Sequence, residues 1–301
     1  MEHRSTGGID PLRFYLRRIL RIWPAYFVYV GFCLIAHMAV QGHIGPPPVS
    51  RAIGLATFTD NIASAWQGFN PILFTAHLWS ICYEEQYYLA IPPAIWLFSK
   101  LTPRMRKFAI AVAILAGLCA RGVMISREVP HPAIWTLPWT HFESVALGAA
   151  LGAGLLDGFW KRFPTWFPLA LGLLGSVALV LLPPVDQITM WLFSKYLVAG
   201  VASVAWVQAA IASSGFARFL SHPALVHLGK RSYGLYLWHL AAIFAVDATL
   251  RRVEGCAPYG ALSFGLSLVA TWVFAYVSYR WLESPFLRLK RKYETIRSRP
   301  I

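Results

Sequence analysis

Apolar residues in this chain come in blocks of sixteen to twenty-four positions, separated by shorter connections rich in arginine and lysine. The blocks fall at 22–40, 78–98, 108–125, 141–157, 167–182, 189–212, 233–250 and 260–282. At about 1.5 Å per helical residue, such lengths approach or exceed the roughly 30 Å hydrocarbon core of a bilayer. The pattern therefore predicts an all-α polytopic transmembrane bundle of about eight spans. Three blocks are weaker than the rest. Those at 141–157 and 167–182 are short and glycine-rich, and 78–98 is interrupted by Pro92-Pro93 and carries the adjacent carboxylates Glu84 and Glu85.

Composition points the same way, because 57% of the 301 residues are hydrophobic and only 13% are charged, more apolar surface than a soluble core of that size can hide. The net charge of +14 raises nucleic acid as a partner, and the placement of the cations excludes it. Twenty-one of the 27 lysines and arginines fall in alternate connections on one side of the proposed bundle, against four (Arg51, Arg127, Arg251 and Arg252) on the other. By the positive-inside rule both termini are cytoplasmic. The expected organisation is one membrane domain over 1–301, with a basic cytoplasmic segment at 1–21 and a basic tail at 283–301 lying along the inner leaflet. The block at 22–40 is too long for a signal-peptide core and lacks a small-residue cleavage site, so it reads as a retained helix. Cys33, Cys82, Cys119 and Cys256 show no metal-ligand spacing, and only Cys256 falls in an external loop. The longest connection, 41–77, contains Pro46-Pro47-Pro48 and several aromatics. It reads either as the wall of an entrance or as a solvated linker.

Charged residues inside apolar blocks are costly and usually face a protein interior or a wet cavity. On a helix His77, Ser80, Glu84 and Tyr88 stand at i, i+3, i+7 and i+11, one polar stripe. Counting from the outer surface places Glu84 about 10 Å below it. A carboxylate there can serve as a general base or steady an imidazolium. The structural alternative is an ion pair with Arg121 or Lys195. Arg13, Arg17 and Arg21 recur every fourth residue, with Arg18 beside them, just before Trp23-Pro24. Such guanidinium forks suit a phosphorylated cytosolic ligand, and plain anchoring to headgroups also accounts for them. Ser232, Tyr236 and His239 share a helix face about 10 Å in from the cytoplasmic side, where His239 either shuttles a proton or donates one structural hydrogen bond. Glu283 reads as an ion-pair partner of Arg280, and His141 and Glu143 as packing residues or part of an external opening.

Four stretches, in this order, resemble the acyltransferase 3 family of membrane acyltransferases: Phe14 to Pro24, His77 to Leu89, Ser232 to His239, and Tyr279 to Phe286. The resemblance implies a helical membrane enzyme of the bacterial inner membrane. Such an enzyme takes an acyl group, acetyl foremost, from cytosolic acyl-CoA to a hydroxyl of an extracytoplasmic carbohydrate or cell-envelope acceptor. It implies Arg17, Arg18, Arg21 and Tyr236 on the coenzyme A side and Glu84, Glu85, His77 and His239 as catalytic residues, with no metal and no permanently bound cofactor. Family members generally carry two further helices ahead of the arginine motif, one with a histidine implicated in transfer. Eight spans here would match ten there, as expected of a misassigned start or of a fragment. The family also often has Arg and Asp where this chain has His141 and Glu143.

Two other function classes fit parts of the pattern. A proton-coupled transporter or flippase would use Glu84, Glu85 and His239 as a relay, but the inverted repeats frequent in transporters are not evident. An inactive homologue would follow from the unmatched helices.

Overall fold

A computed structural model describes residues 10–253 and 260–294, Val253 by its backbone alone; Cys256 lies outside them. Every regular element among the described residues is helical. The helices are α1 (Pro11–Ala39), α2 (Val49–Ala56), α3 (Asp60–Gln67), α4 (Trp79–Lys100), α5 (Pro103–Ser126), α6 (Phe142–Gly152), α7 (Phe167–Leu181), α8 (Met190–Ala212), α9 (Ser232–Val253), α10 (Ala261–Ser278) and α11 (Ser284–Lys290), with shorter turns between some of them. Five helical runs are long and apolar enough to cross a membrane: α1, α5, α8, α9 and the continuous run from Ala261 to Tyr293. Of the other three expected spans, α7 has 15 residues and α6 has 11, or about 16 Å. The third, α4, is long enough, but it carries the two glutamates and falls outside the five.

The chain forms two compact units. One is drawn from Glu2–Ala63, Phe69–Pro92 and Val226–Ile301, the other from Ser64–Gly68 and Pro93–Leu225. The division passes between Pro92 and Pro93, through which α4 runs unbroken.

In the first unit α1 is started by Asp10, whose side chain accepts from the Arg13 N–H at 3.1 Å, and by Pro11 in the first turn. Its 29 residues span about 43 Å, so its arginine-bearing end can extend beyond a bilayer core. The first part of α4 runs antiparallel along this end. Tyr15 Oη donates to the Leu89 carbonyl (2.9 Å), Arg18 Nη1 to Tyr88 Oη (3.1 Å) and Trp23 Nε1 to Glu85 Oε2 (3.0 Å). Tyr26 Oη contacts Cys82 Sγ at 3.8 Å. Helix α4 thus begins near the level of Tyr29, in the C-terminal half of α1.

The stretch before α4 packs against the C-terminal half of α1 and is not a solvated linker. Leu55, Phe58, Ile72 and Leu78 join Tyr26, Tyr29 and Cys33 in one buried core. Irregular backbone at this depth requires protein partners for its polar groups, and α1 supplies them. Tyr26 Oη donates to the Leu55 carbonyl (2.9 Å) and Tyr29 Oη to the Phe74 carbonyl (2.8 Å). His37 Nδ1 accepts from the Leu73 N–H at 3.3 Å while its Nε2 donates to the Gly45 carbonyl at 3.2 Å. Within the stretch, Asp60 Oδ1 accepts from Arg51 Nε (2.7 Å) and from Asn70 Nδ2 (2.9 Å).

At the other end of this unit α10 opens into a π turn over Tyr279–Glu283 before α11. Pro285 has no N–H for the Trp281 carbonyl and its ring would crowd that carbonyl, so a widened turn relieves the clash. Helix α11 packs on α1. The described part of the tail therefore returns to the arginine helix.

The second unit holds α5, α6, α7 and α8. Helices pack closely here where small residues meet: a Cβ at Gly175 would stand 2.6 Å from the Ala202 Cβ. At its centre Arg121, with no exposed surface, donates to the carbonyls of Phe193 (2.6 Å) and Thr140 (2.7 Å) and to Glu143 Oε1. Its guanidinium lies 4.6 Å over the Tyr196 ring.

Candidate active site

The first unit brings the sequence-selected residues together as two hydrogen-bonded groups along α4. Reading up α4, Tyr88 Oη accepts from Arg18 and donates to Glu84 Oε1. One turn away Ser80 Oγ is bonded to Tyr236 Oη of α9, which donates to the His77 carbonyl at 2.8 Å. Ser80, Glu84 and Tyr88 of the expected stripe lie on α4, whereas His77 lies in the turn just before the helix. Glu84 lies toward the arginine end of α1 through Tyr88 and Arg18, and the rings of His77 and His239 are 4.6 Å apart, so the His77 stripe and the His239 face meet, a closeness that an aromatic connection without helical periodicity does not reveal.

The hydrogen bonds of the two histidines fix their tautomers, because a carbonyl oxygen only accepts. His239 Nδ1 is 2.6 Å from the Tyr236 carbonyl and so carries the proton, leaving the Nε2 lone pair. His77 Nε2 is 3.1 Å from the Leu237 carbonyl and likewise carries the proton. Its Nδ1 is buried without a partner. Protonating that nitrogen would bury an N–H with no acceptor, so this geometry selects the neutral ring.

The two carboxylates are held differently. Glu84 is exposed and bonded to Tyr88, whereas Glu85 is half-buried, with one oxygen on Trp23 Nε1 and the other unpartnered. Trp23 was part of the arginine motif in the sequence but was not recognised there as a carboxylate partner. Neither cation of the structural alternative is left for Glu84. Arg121 is committed to Glu143 and two carbonyls, and Lys195 Nζ donates to the carbonyls of Pro183 (2.6 Å) and Leu182 (3.3 Å).

The arginines divide among distinct tasks. Arg13 closes the start of α1 with Asp10 (3.3 Å), and Arg17 Nη1 donates to the Tyr293 carbonyl (2.9 Å). Arg18 lies 4.2 Å over the Tyr88 ring, and Arg21 is exposed. Tyr233 Oη donates to the Ile22 carbonyl at 2.9 Å, tying α9 to α1. Glu283 does not pair with the exposed Arg280. It is buried, accepts from Ser278 Oγ at 3.3 Å, and lies so close to α9 that a Cβ at Gly234 would stand 2.9 Å from its Oε1. Glu143 lines no opening: it is the buried partner of Arg121.

Helices long and apolar enough to cross a membrane, with histidine, carboxylate and hydroxyl groups gathered near the guanidinium groups of α1, mark a multi-pass membrane protein. The acyltransferase 3 family, described as an acyltransferase domain, matches residues 4–278, and the chain belongs to that family. Its relatives include O-acetyltransferase OatA of Staphylococcus aureus strain NCTC 8325, 27% identical over 301 residues that cover 94% of this chain and 49% of the relative. A second, SACOL0978 of S. aureus strain COL, is 26% identical over 306 residues that cover 95% of this chain and 49% of the relative. The chain thus spans about half the length of the curated relatives it matches. No solved structure matches it significantly.

Proposed function

We propose that this chain, acting as one domain, transfers an acyl group, acetyl foremost, from acyl-CoA to a hydroxyl of an extracytoplasmic carbohydrate or cell-envelope acceptor. It would do so in a bacterial inner membrane, with both termini cytoplasmic. The observation that carries this reading is the placing of two hydrogen-bonded groups a turn apart on α4, Arg18–Tyr88–Glu84 and Ser80–Tyr236, with the His77–His239 ring pair beside the second. Arg17, Arg18 and Arg21 supply permanent positive charge for the coenzyme A phosphates, and bidentate guanidinium contacts suit that task. Tyr236 stands where the donor arm meets the histidines.

In the transfer step the acceptor hydroxyl gives its proton to His239 Nε2 as its oxygen bonds to the thioester carbonyl carbon. The tetrahedral intermediate collapses with cleavage of the carbon–sulfur bond. The ester leaves, and the thiolate takes the proton back from the imidazolium. A positioned general base contributes about 10²–10⁴-fold. His77 holds its neighbour in place through α9, and Glu84 with Glu85 offsets the charge that builds on His239. The test supplies membranes carrying the chain with labelled acetyl-CoA and follows label into surface glycan. Label appears with the native chain and falls at least 10²-fold with His239→Gln. An unaltered rate in Glu84→Gln removes that carboxylate from the mechanism.

A further inference from the structure

Helix α10 has a buried face and an exposed one, and the exposed face changes character along its length. Ser263, Thr271 and Ala275 are buried, and Ser263 Oγ donates to Asp247 Oδ1 of α9 at 2.7 Å. Leu262, Leu266, Val269 and Val273 stay exposed. Toward the end of the helix Trp272, Tyr276 and Tyr279 follow at i, i+4 and i+7. The rings of Trp272 and Tyr276 stack with centres 5.5 Å apart, and His227, on the short helix Pro223–Lys230, stacks on Trp272 at 6.4 Å. Arg231 comes directly after that short helix. Its guanidinium lies 5.3 Å from the centre of the Tyr276 ring and 4.8 Å from that of Tyr279, both within cation–π range. Among the described residues its one hydrogen bond runs from Nη1 to the His227 carbonyl (3.0 Å), and its Nε is buried without an acceptor. Glu283 is within electrostatic reach, yet its hydrogen bond goes to Ser278 Oγ and it forms no ion pair with Arg231. What this place offers is therefore directed N–H donors held between aromatic rings, and not surplus charge.

Tryptophan and tyrosine gather at the headgroup level of membrane-crossing helices, and an arginine there keeps its stem among apolar groups while its head reaches the polar layer. Helix α10 belongs to a run long and apolar enough to cross a membrane. We propose that Arg231, with Trp272, Tyr276 and Tyr279 around it, binds the phosphodiester of a membrane phospholipid whose acyl chains lie along the exposed Leu266, Val269 and Val273 face. The unesterified phosphate oxygens accept from the unpaired edge of the guanidinium fork. The two tyrosine rings fix the plane of that fork, and the apolar face gives the lipid a second, hydrophobic contact. Lipid binding here needs no acyl-transfer step and extends beyond the proposed function.

The full chain in maltoside micelles is titrated with phosphatidylglycerol and, separately, with diacylglycerol of the same acyl chains, which has no phosphate. The unfolding temperature should rise with phosphatidylglycerol and far less with diacylglycerol. Arg231→Gln should weaken the affinity read from that titration about tenfold, the loss of roughly one charge-assisted contact. Arg231→Lys keeps the charge without the fork and should stay several-fold weaker than native. Lys230→Gln removes the neighbouring cation and should leave the affinity near native. A phosphatidylglycerol with a photoreactive diazirine near its headgroup should label peptides that contain Arg231 or Trp272 in the native chain, a readout that needs no variant to fold. Equal responses to the two lipids overturn the inference, as does native affinity in Arg231→Gln. Equal weakening by Lys230→Gln and Arg231→Gln, or photolabel confined to other helices, reveals diffuse attraction to lipid and overturns it too.

Discussion

The Arg121–Glu143 pair separates a structural use of intramembrane charge from a catalytic one. Both side chains have no exposed surface, and the guanidinium also serves the Phe193 and Thr140 carbonyls. Removing the cation in Arg121→Met strands a carboxylate and two carbonyls in the interior, a loss of about 3–5 kcal/mol. That is a drop of roughly 10² to several thousandfold in the folding equilibrium. Arg121 Nε and Glu143 Oε2 have no partners even in the native arrangement, so the pair itself is imperfectly satisfied. Replacing both residues by methionine is therefore expected to cost less than either single change. Tryptophan fluorescence during unfolding in mixed detergent micelles measures the stabilities, and acetyl transfer is followed in the same samples. The account requires that Arg121→Met/Glu143→Met recover both folding and activity. A double variant that folds but transfers nothing would give Glu143 a chemical role, and an Arg121→Met loss below about 1 kcal/mol would refute the burial argument.

Other expectations follow from the first unit. His37 accepts from Leu73 and donates to Gly45, a task that an asparagine amide can copy and leucine cannot, so His37→Asn should keep most of the activity and His37→Leu should lose it, as read by transfer assays at equal membrane insertion. Tyr236→Phe removes the bond to the His77 carbonyl, costing about 1 kcal/mol of stability, while a displaced histidine pair should lower kcat tenfold or more with a smaller change in KM. Gly234→Val would drive side-chain atoms into Glu283 Oε1 and the Ala275 backbone, which lie 2.9 and 3.3 Å from the point where even a single Cβ would stand. Overpacking of this kind should cost about 1–3 kcal/mol in the unfolding assay.

Much of the site was legible in the sequence because it is written at helical spacing. Ser80, Glu84 and Tyr88 share a face by periodicity alone, and Tyr236 with His239 does so on α9. Their mutual closeness was not legible, since it depends on where α4 begins along α1. That level is set by tyrosine and histidine bonds from α1 to loop carbonyls, which leave no periodic trace. The Glu283 misreading has a related origin: adjacency to Arg280 suggested a pair, but the π turn before Pro285 rotates the carboxylate inward against Gly234. Nothing local announces that the basic tail folds back to Arg17. Five of the apolar blocks coincide with helical runs long and apolar enough to cross a membrane, whereas α6 and α7 are shorter than their blocks and α4 carries the two glutamates.

The most direct test of a single site joining the arginine stripe to His239 is a paired measurement on His239→Gln in membranes: coenzyme A binding, and transfer of label from acetyl-CoA to glycan. The account predicts native affinity for coenzyme A together with a transfer rate at least 10²-fold lower. Transfer at the native rate by His239→Gln would contradict it.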